Sequence, residues 1–389
     1  MSLGKIRSYF KRRKRNQSGD TYGIILYVTN RCNMKCSHCF YSAELNQPTN
    51  EISLDEVRLL AQSFKGRCTA VALTGGEPTM RQELKEIIKI LHEHGVEEFE
   101  INSNGAFQER LLDLIAFVKE DLKSQISVMI SIDGFGKVHD TIRKIPRAYS
   151  RAIDTAKKIK ARGDVPVYFN TTIMKENYKK LYNMARISED LGINHNFEII
   201  RSVAQSALPA AWMNGGFAPK EKDELLPKEL FPVIREQLLK IYRMRAAKNS
   251  AQLLSLAASY TILDMKLETL ELNKWVAPCI AGKKNHVIYP DGKVALCEFL
   301  KPSGNLRDSN FDFEKIKNND ISQKYQKFIP KCFCIHGCFI DYENAPDFPR
   351  RVAINSAKIY VKKKVQPFVS EPGEDGDLYK IERFTATTQ

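Results

Sequence analysis

Three cysteines, Cys32, Cys36 and Cys39, fall inside the stretch TNRCNMKCSHCFYS from Thr29 to Ser42, with the spacing CxxxCxxC. A short loop carrying three thiolates can wrap one face of a soft metal or an iron–sulfur cluster. A [4Fe–4S] cluster that only transfers electrons is held by four cysteines. With three, one iron keeps an open position for a substrate or cofactor, as a catalytic zinc does. The alternative is a zinc knuckle completed by His38. Zinc fingers usually pair one CxxC with a second about a dozen residues on, and that second pair is missing.

A second group holds Cys279, Cys297, Cys332, Cys334 and Cys338. Four thiolates complete a [4Fe–4S] cluster, which leaves one of the five spare. A structural zinc site with His336 is the rival reading. Cys68, between a helix and a strand, reads as an ordinary small apolar residue. Nine cysteines, an odd number clustered in a 389-residue chain without a secretion signal, indicate metal or redox chemistry rather than disulfides.

These thiols need a frame, and hydrophobic periodicity supplies one. From residue 23 to about 200, nearly continuous apolar strands alternate with amphipathic helices: strands GIILYVT, AVALTG, EFEINS, ISVMISI, VPVYFNTTI and HNFEII, with helices from Leu54, over 81–94, and near 107–120, 148–162 and 177–191. Ser53 and Glu56 are placed as a capping box, and Gly95, Gly163 and Gly192 close helices. Six βα units indicate a parallel sheet covered by helices, either doubly wound or curved into an incomplete barrel. Residues 206–219 read as loop. Helices follow near 228–247 and 251–272, and then VIYPDGKVALC reads as a hairpin turning at Pro290, Asp291 and Gly292. The expected organisation is a basic tail (1–20), a sheet-and-helix domain (21–205), a helical connecting segment (206–275), a small cysteine-rich domain (276–345) and a C-terminal tail (346–389).

Composition excludes some classes. Hydrophobic residues at 43% and charged residues at 27% are ordinary for a globular protein. No apolar run reaches the roughly 18 residues of a membrane span. The basic N-terminus lacks an apolar region behind it, so it does not read as a signal peptide. The net charge is +14, and Lys5, Arg7, Lys11, Arg12, Arg13, Lys14 and Arg15 carry half of it. With Leu3, Ile6, Tyr9 and Phe10 at near-helical spacing, residues 1–19 read either as a solvated terminus or as a peripheral contact with an anionic membrane surface.

The CxxxCxxC spacing, the preceding TNRCN and the following CFY resemble the radical S-adenosylmethionine (SAM) enzymes over about residues 22–345. The resemblance implies a partial (β/α)6 TIM-like barrel of the α/β class with a helical insert. It also implies a [4Fe–4S] cluster on Cys32, Cys36 and Cys39 whose open iron chelates the methionine moiety, with reductive cleavage to a 5′-deoxyadenosyl radical. The other suspect loops agree, because parallel β/α scaffolds collect their chemistry at the C-terminal ends of strands. TGGEP, NSNG and SIDG all fall there. Gly75 and Gly76 let backbone approach a ligand closely, and by resemblance Glu77 meets the methionine ammonium. Ser103, Asn104, Ser131, Asp133 and Asn170 are candidates for ribose hydroxyls or the carboxylate, with turn formation the plainer role for Asn104 and Asp133. Arg143 would suit the carboxylate or simply sit on a helix surface. His38 stands where the family commonly has an aromatic whose backbone meets adenine.

The second cysteine group resembles the SPASM or shorter twitch extension of this family, but with five cysteines rather than seven. One auxiliary [4Fe–4S] cluster is expected, on Cys279, Cys297, Cys338 and either Cys334 or Cys332. The implied function is hydrogen abstraction from an unactivated carbon, with oxidation or rearrangement of a small metabolite, sugar or lipid-linked precursor. A flavodoxin- or ferredoxin-type reductant is implied as well. Peptide maturation is the alternative, weakened by the lack of an obvious N-terminal leader-recognition domain. An iron–sulfur protein that binds nucleic acid or carries electrons is a reading of another class, and nucleic acid is not expected as a partner. The expected location is the cytoplasm, with peripheral contact at the inner membrane surface through residues 1–19.

Overall fold

The computed structural model describes residues 22–202, 206, 208–214, 225–245 and 249–360. The basic N-terminal segment and the acidic end of the C-terminal segment lie outside them.

Six βα units form as expected. They comprise β1 (Tyr22–Thr29), α1 (Leu54–Ser63), β2 (Cys68–Gly75), α2 (Leu84–Glu93), β3 (Glu98–Ser103), α3 (Gln108–Ala116), β4 (Gln125–Ser131), α4 (Gly136–Arg143), α5 (Ala148–Arg162), β5 (Val167–Ile173), α6 (Leu181–Asp190) and β6 (Asn194–Ile199). The strands run in the order β6-β5-β4-β3-β2-β1, each parallel to its neighbour. A doubly wound sheet reverses its order at a switch point; this one does not, so the arrangement is that of a partial barrel.

Two local devices set the frame as the sequence indicated. The Ser53 hydroxyl accepts from the Glu56 amide while Glu56 accepts from the Ser53 amide, so both orphan donors at the start of α1 are satisfied. Gly95, past the end of α2, has a φ of 98°, which a side chain would oppose. The second helix begins at Leu84 rather than residue 81, because Pro78–Met80 forms a separate 3-10 turn.

The strands are less uniformly apolar than expected, and the reason is geometric. In β3 the residues alternate, with Phe99, Ile101 and Ser103 buried and Glu98, Glu100 and Asn102 half-buried. Phe99 and Ile101 pack with Leu73, Ile88, Leu114, Val128 and Ile159 into the core under the helices, while Ser103, at the strand end, reaches the cavity rim. Each fully buried aliphatic or aromatic side chain there contributes about 1.5–3 kcal/mol. The inward set lines a cavity of about 1400 Å³ inside the curve of the sheet.

The cysteine-rich region does not stand apart from this sheet. The predicted hairpin forms from β7 (Asn285–Ile288) and β8 (Lys293–Ala295), and β7 pairs in parallel with β1, so the barrel sheet continues through β7 and β8 to β9 (Gly304–Asn305). Helices α7 (Phe231–Met244) and α8 (Ser250–Leu272) close one side. Short helices α9 (Phe313–Lys317) and α10 (Asp320–Phe328) follow β9. Residues 348–360, expected as part of a tail, instead form α11 (Phe348–Tyr360) packed on α8, with Arg351 bonded to Glu268 and Asn355 donating to Thr261. The 3.6-residue apolar repeat of this segment is diluted by cations, which is why it reads as tail.

Candidate functional site

The loop from Arg31 to Ser42 leaves β1 at the C-terminal rim of the sheet, and Cys32, Cys36 and Cys39 all border the cavity. Backbone contacts fix its course. Cys32 exchanges hydrogen bonds with the Asn46 side chain, and the Ser37 amide donates to the carbonyl of Ile142 in α4 at 2.9 Å. Asn30, nearly buried, donates to the Glu44 and Gln47 carbonyls and to Thr49, closing the return of the loop.

Gly75 and Gly76 were expected to admit a ligand; in the structure what they approach is the cysteine loop itself. A Cβ on Gly75 would lie 2.2 Å from the Thr29 carbonyl oxygen, and one on Gly76 would lie 2.1 Å from that of Arg31. The Gly76 amide donates to Thr29 and the Glu77 amide to Arg31, at 2.9 and 2.8 Å. Glu77 is 1% exposed. Its carboxylate accepts from Ser103 Oγ, Thr79 Oγ1 and the Asn104 amide, at 2.8, 2.7 and 2.8 Å, so it fastens the NSNG turn to the rim. Burial raises its pKa, against the pull of those bonds. Asn104 both forms its own turn, accepting from the Ala106 amide, and donates to Asn33 in the cysteine loop at 2.9 Å.

Ser131 and Asn170, paired across β4 and β5, face the cavity, as does His38. Asp133 does not. It was expected at a ribose or carboxylate, but it is fully buried, with Oδ2 2.5 Å from Arg143 Nη2 and 3.6 Å from His38 Nε2, and Oδ1 accepting from the Thr172 amide. Burial opposes its charge, yet Arg143 and His38 outweigh burial and hold the carboxyl below its ordinary range. The group presented to the cavity is therefore Arg143, at the end of α4, whose Nη1 donates to the Cys36 thiol at 3.6 Å. That helix carries no side-chain cap and spans eight residues, so its bounds are not marked in the sequence, although Arg143 itself reads there as a carboxylate partner or a helix-surface residue.

The second group of cysteines divides. Cys279, Cys297 and Cys334 are buried, and each raises the pKa of at least one of the others or has its own raised in turn. Burial is the larger cause, pushing Cys279 to about 12, Cys334 to about 11 and Cys297 well above its ordinary value. Cys338 lies on the cavity wall and feels Glu298, Arg201 and Glu198 instead. The Cys332 thiol points to the Phe333 carbonyl of its own turn, at 3.9 Å. His336 directs Nε2 to Glu298 rather than leaving that nitrogen for a metal.

Between the two groups lies a charged cluster that local sequence patterns could not assemble. Glu298 is 3% exposed and accepts from Tyr27 and His336, and from Arg201 at 3.3 Å. Arg201 also stacks over Phe40, the residue after Cys39, at 4.8 Å. The partners come from β1, the end of β6, the hairpin and the CFCIHGC loop; only adjacency to the cysteines hinted at them. Nearby, Lys266 is 2% exposed and bonds Glu198 at 2.6 Å.

The donors at both groups are thiols, the ligand type that iron–sulfur clusters take. Among the described residues, no group of three or more Cys, His, Asp or Glu side chains is arranged to hold one metal ion, whereas a cubane offers its irons at separate corners. Burial holds the Cys32 thiol at a pKa of about 12, so its ionisation requires a strong cationic partner in place. Three thiols at the rim leave no fourth cysteine from this loop for the last iron.

Residues 26–187 match the Radical SAM superfamily. The chain is 29% identical over 174 residues to a probable GTP 3′,8-cyclase of Saccharolobus solfataricus, covering 43% of this chain and 53% of that one. It is 25% identical over 289 residues to the AdoMet-dependent heme synthase of Oleidesulfovibrio alaskensis, covering 73% of this chain and 71% of that protein. Across three such curated relatives the chain spans only 38% to 53% of their lengths. Its fold is similar to that of Streptococcus suis SuiB bound to precursor peptide SuiA, with a TM-score of 0.58 and 16% identity, covering 84% of this chain and 71% of that one.

Proposed function

We propose that this chain, whose residues 26–187 match the Radical SAM superfamily, is an enzyme that cleaves S-adenosylmethionine at Cys32, Cys36 and Cys39 and acts on a small organic molecule held in the cavity. The carrying observation is the placement of these three thiols on one rim of a cavity that reaches the second cysteine group. When bound, the cluster and S-adenosylmethionine supply one-electron cleavage of the sulfonium, and thereby the 5′-deoxyadenosyl radical that removes a hydrogen atom from an unactivated carbon.

The chain's own residues do the rest. Gly75, Gly76 and Glu77 hold the cysteine loop and the NSNG turn in register. Arg143, held from behind by Asp133, points its guanidinium at Cys36 and within reach of an anionic group in the cavity. Ser131, Asn170, Asn104 and the His38 backbone line the space for the nucleoside part. At about 1400 Å³ the cavity exceeds the roughly 300–1,000 Å³ of a single small-ligand pocket, so cofactor and substrate fit together and water is displaced around the reacting carbon.

Cys279, Cys297 and Cys334 would hold an auxiliary [4Fe–4S] cluster, with Cys338 approaching from the cavity side. Such a cluster would supply an electron acceptor for the substrate radical. Lipid-linked, sugar and other small precursors all suit the polar inward faces of β3 to β6. Anaerobic reconstitution tests the reading. The dithionite-reduced wild type forms 5′-deoxyadenosine from S-adenosylmethionine and Cys36→Ala forms none; a wild type carrying its full iron and still producing none overturns the proposal.

A further inference from the structure

Asparagine is depleted from strand interiors, yet the cavity wall carries Asn102 in β3, Asn170 in β5 and Asn196 in β6. Asn170 and Asn196 are direct partners across β5 and β6, and two residues nearer the rim Thr172 and Glu198 are direct partners too. Adjacent strands lie about 4.8 Å apart and alternate residues of one strand about 6.6 Å apart. Asn170, Asn196, Thr172 and Glu198 therefore form a four-cornered polar patch on the cavity wall. Among the described residues, the side chains of Asn170 and Thr172 hydrogen-bond to none, and that of Asn196 meets only the Met129 sulfur, at 3.6 Å.

Lys266 of α8 and Tyr342 close one edge of the patch. Lys266, 2% exposed, bonds Glu198 at 2.6 Å, and its ammonium lies 6.0 Å from the centre of the Tyr342 ring. Tyr342 lines the cavity at 3% exposure, and its hydroxyl has no hydrogen-bond partner among the described residues. A Cβ on Gly337 would lie 3.0 Å from Lys266 Nζ and 3.2 Å from Glu198 Oε1, so the ion pair abuts the loop that carries Cys334 and Cys338. The patch thus runs from the β4 side, where Ser131 is the partner of Asn170, to the second cysteine group. Buried polar groups are nearly always hydrogen-bonded, so a cluster of unpaired ones on a cavity wall marks where a ligand completes the bonding.

On the reading of the site given above, we infer that Thr172, Asn196, Glu198, Lys266 and Tyr342 form a subsite for a sugar ring, so that the substrate is a carbohydrate or carries one. Charge selects first. Glu198 and Lys266 cancel, so a carboxylate or phosphate is opposed by Glu198 and an ammonium by Lys266, whereas a neutral group is opposed by neither. Hydrogen bonding selects next. Each ring hydroxyl both donates and accepts, which matches a wall where Thr172 and Asn196 do both, Glu198 accepts, and Lys266 and Tyr342 donate. A single peptide group offers one donor and one acceptor, too few for five partners spread over two strands, a helix and a turn. An acyl chain leaves every one of them unpaired, a difference that sites built for hydrogen bonding turn into discrimination of up to about 10,000-fold or more.

The test titrates the reconstituted full chain, with S-adenosylmethionine present, by saturation-transfer NMR. The probes are the methyl glycosides of glucose, galactose, mannose and N-acetylglucosamine, beside N-acetylalanine methylamide and decanol. At least one glycoside should bind, and Thr172→Val combined with Asn196→Leu should weaken it about tenfold. Circular dichroism and iron content of that variant should match the wild type; if it does not fold, Asn196→Ala alone should show a loss of about threefold. Thr69→Val, which removes a hydroxyl at the opposite end of the cavity, should leave glycoside binding within about twofold. Binding of no glycoside overturns the proposal, as does binding that the double variant leaves unchanged or that Thr69→Val weakens equally. Tighter binding of the amide or of decanol also overturns it, in favour of a peptide or an apolar substrate. An iron-loaded wild type that binds a glycoside but forms no 5′-deoxyadenosine with dithionite strikes instead at the proposed function and leaves the subsite standing.

Discussion

Gly76 and Arg31 meet backbone to backbone: a single methyl group on Gly76 would lie 2.1 Å from the Arg31 carbonyl oxygen. Neither chain can yield, because the Gly76 and Glu77 amides are bonded to Thr29 and Arg31 across the same contact. The GGE turn and the cysteine loop are therefore one unit.

Gly76→Ala should separate them. Overpacking a rigid contact costs about 1–3 kcal/mol, and here the upper end is expected, together with loss of iron from the rim cysteines. Urea unfolding and iron content after anaerobic reconstitution check it; a variant with wild-type iron and stability would show that the loop tolerates displacement.

Arg143→Gln should be worse than its distance from the barrel core suggests. It strands the buried Asp133 carboxylate, a loss of about 3–5 kcal/mol, and Asp133→Asn in the same chain should restore part of it. The pH dependence has a definite sign. Because the folded Asp133 pKa is depressed, its stabilisation is present above the ordinary aspartate value of about 3.9 and is lost as pH falls through the lower folded value. Unfolding of the metal-free chain at pH 7 and near pH 3 should show the Arg143→Gln penalty shrinking in acid.

Cys334→Ser and Cys332→Ser should differ. Cys334 sits with Cys279 and Cys297, whereas the Cys332 thiol faces its own turn. Iron and sulfide analysis should give about half of the wild-type content for Cys334→Ser, as expected when one of two [4Fe–4S] clusters is lost, and near-wild-type content for Cys332→Ser. The reverse result would assign the ligand to Cys332.

Glu198→Ala and Lys266→Met, opposite halves of one ion pair, should not cost the same. Removing Glu198 leaves an ammonium that is 2% exposed without its partner, for about 3–5 kcal/mol. Removing Lys266 leaves a carboxylate that is one-third exposed toward the cavity and remains hydrated, so a smaller loss is expected. Equal losses in urea unfolding would contradict this asymmetry.

Much of this protein was legible locally. The three-cysteine loop, its place after a strand, the order of βα units, the capping box at Ser53 and Glu56 and the turn at Gly292 depend on residues a few positions apart, and short-range hydrogen bonding and periodicity decide them. The docking of β7 beside β1, the capture of α11 by α8 and the joining of Tyr27, Arg201, Glu298 and His336 depend on burial and charge pairing between segments up to some three hundred residues apart in sequence. So did the roles of Asp133 and Arg143, since the sequence shows two polar residues near a turn and only packing decides which faces the cavity and which is buried behind it. The sequence by itself determined which thiols could act together and on which rim of the sheet; tertiary structure decided what surrounds them, because desolvation and ion pairing exist only once distant segments have displaced water from one another.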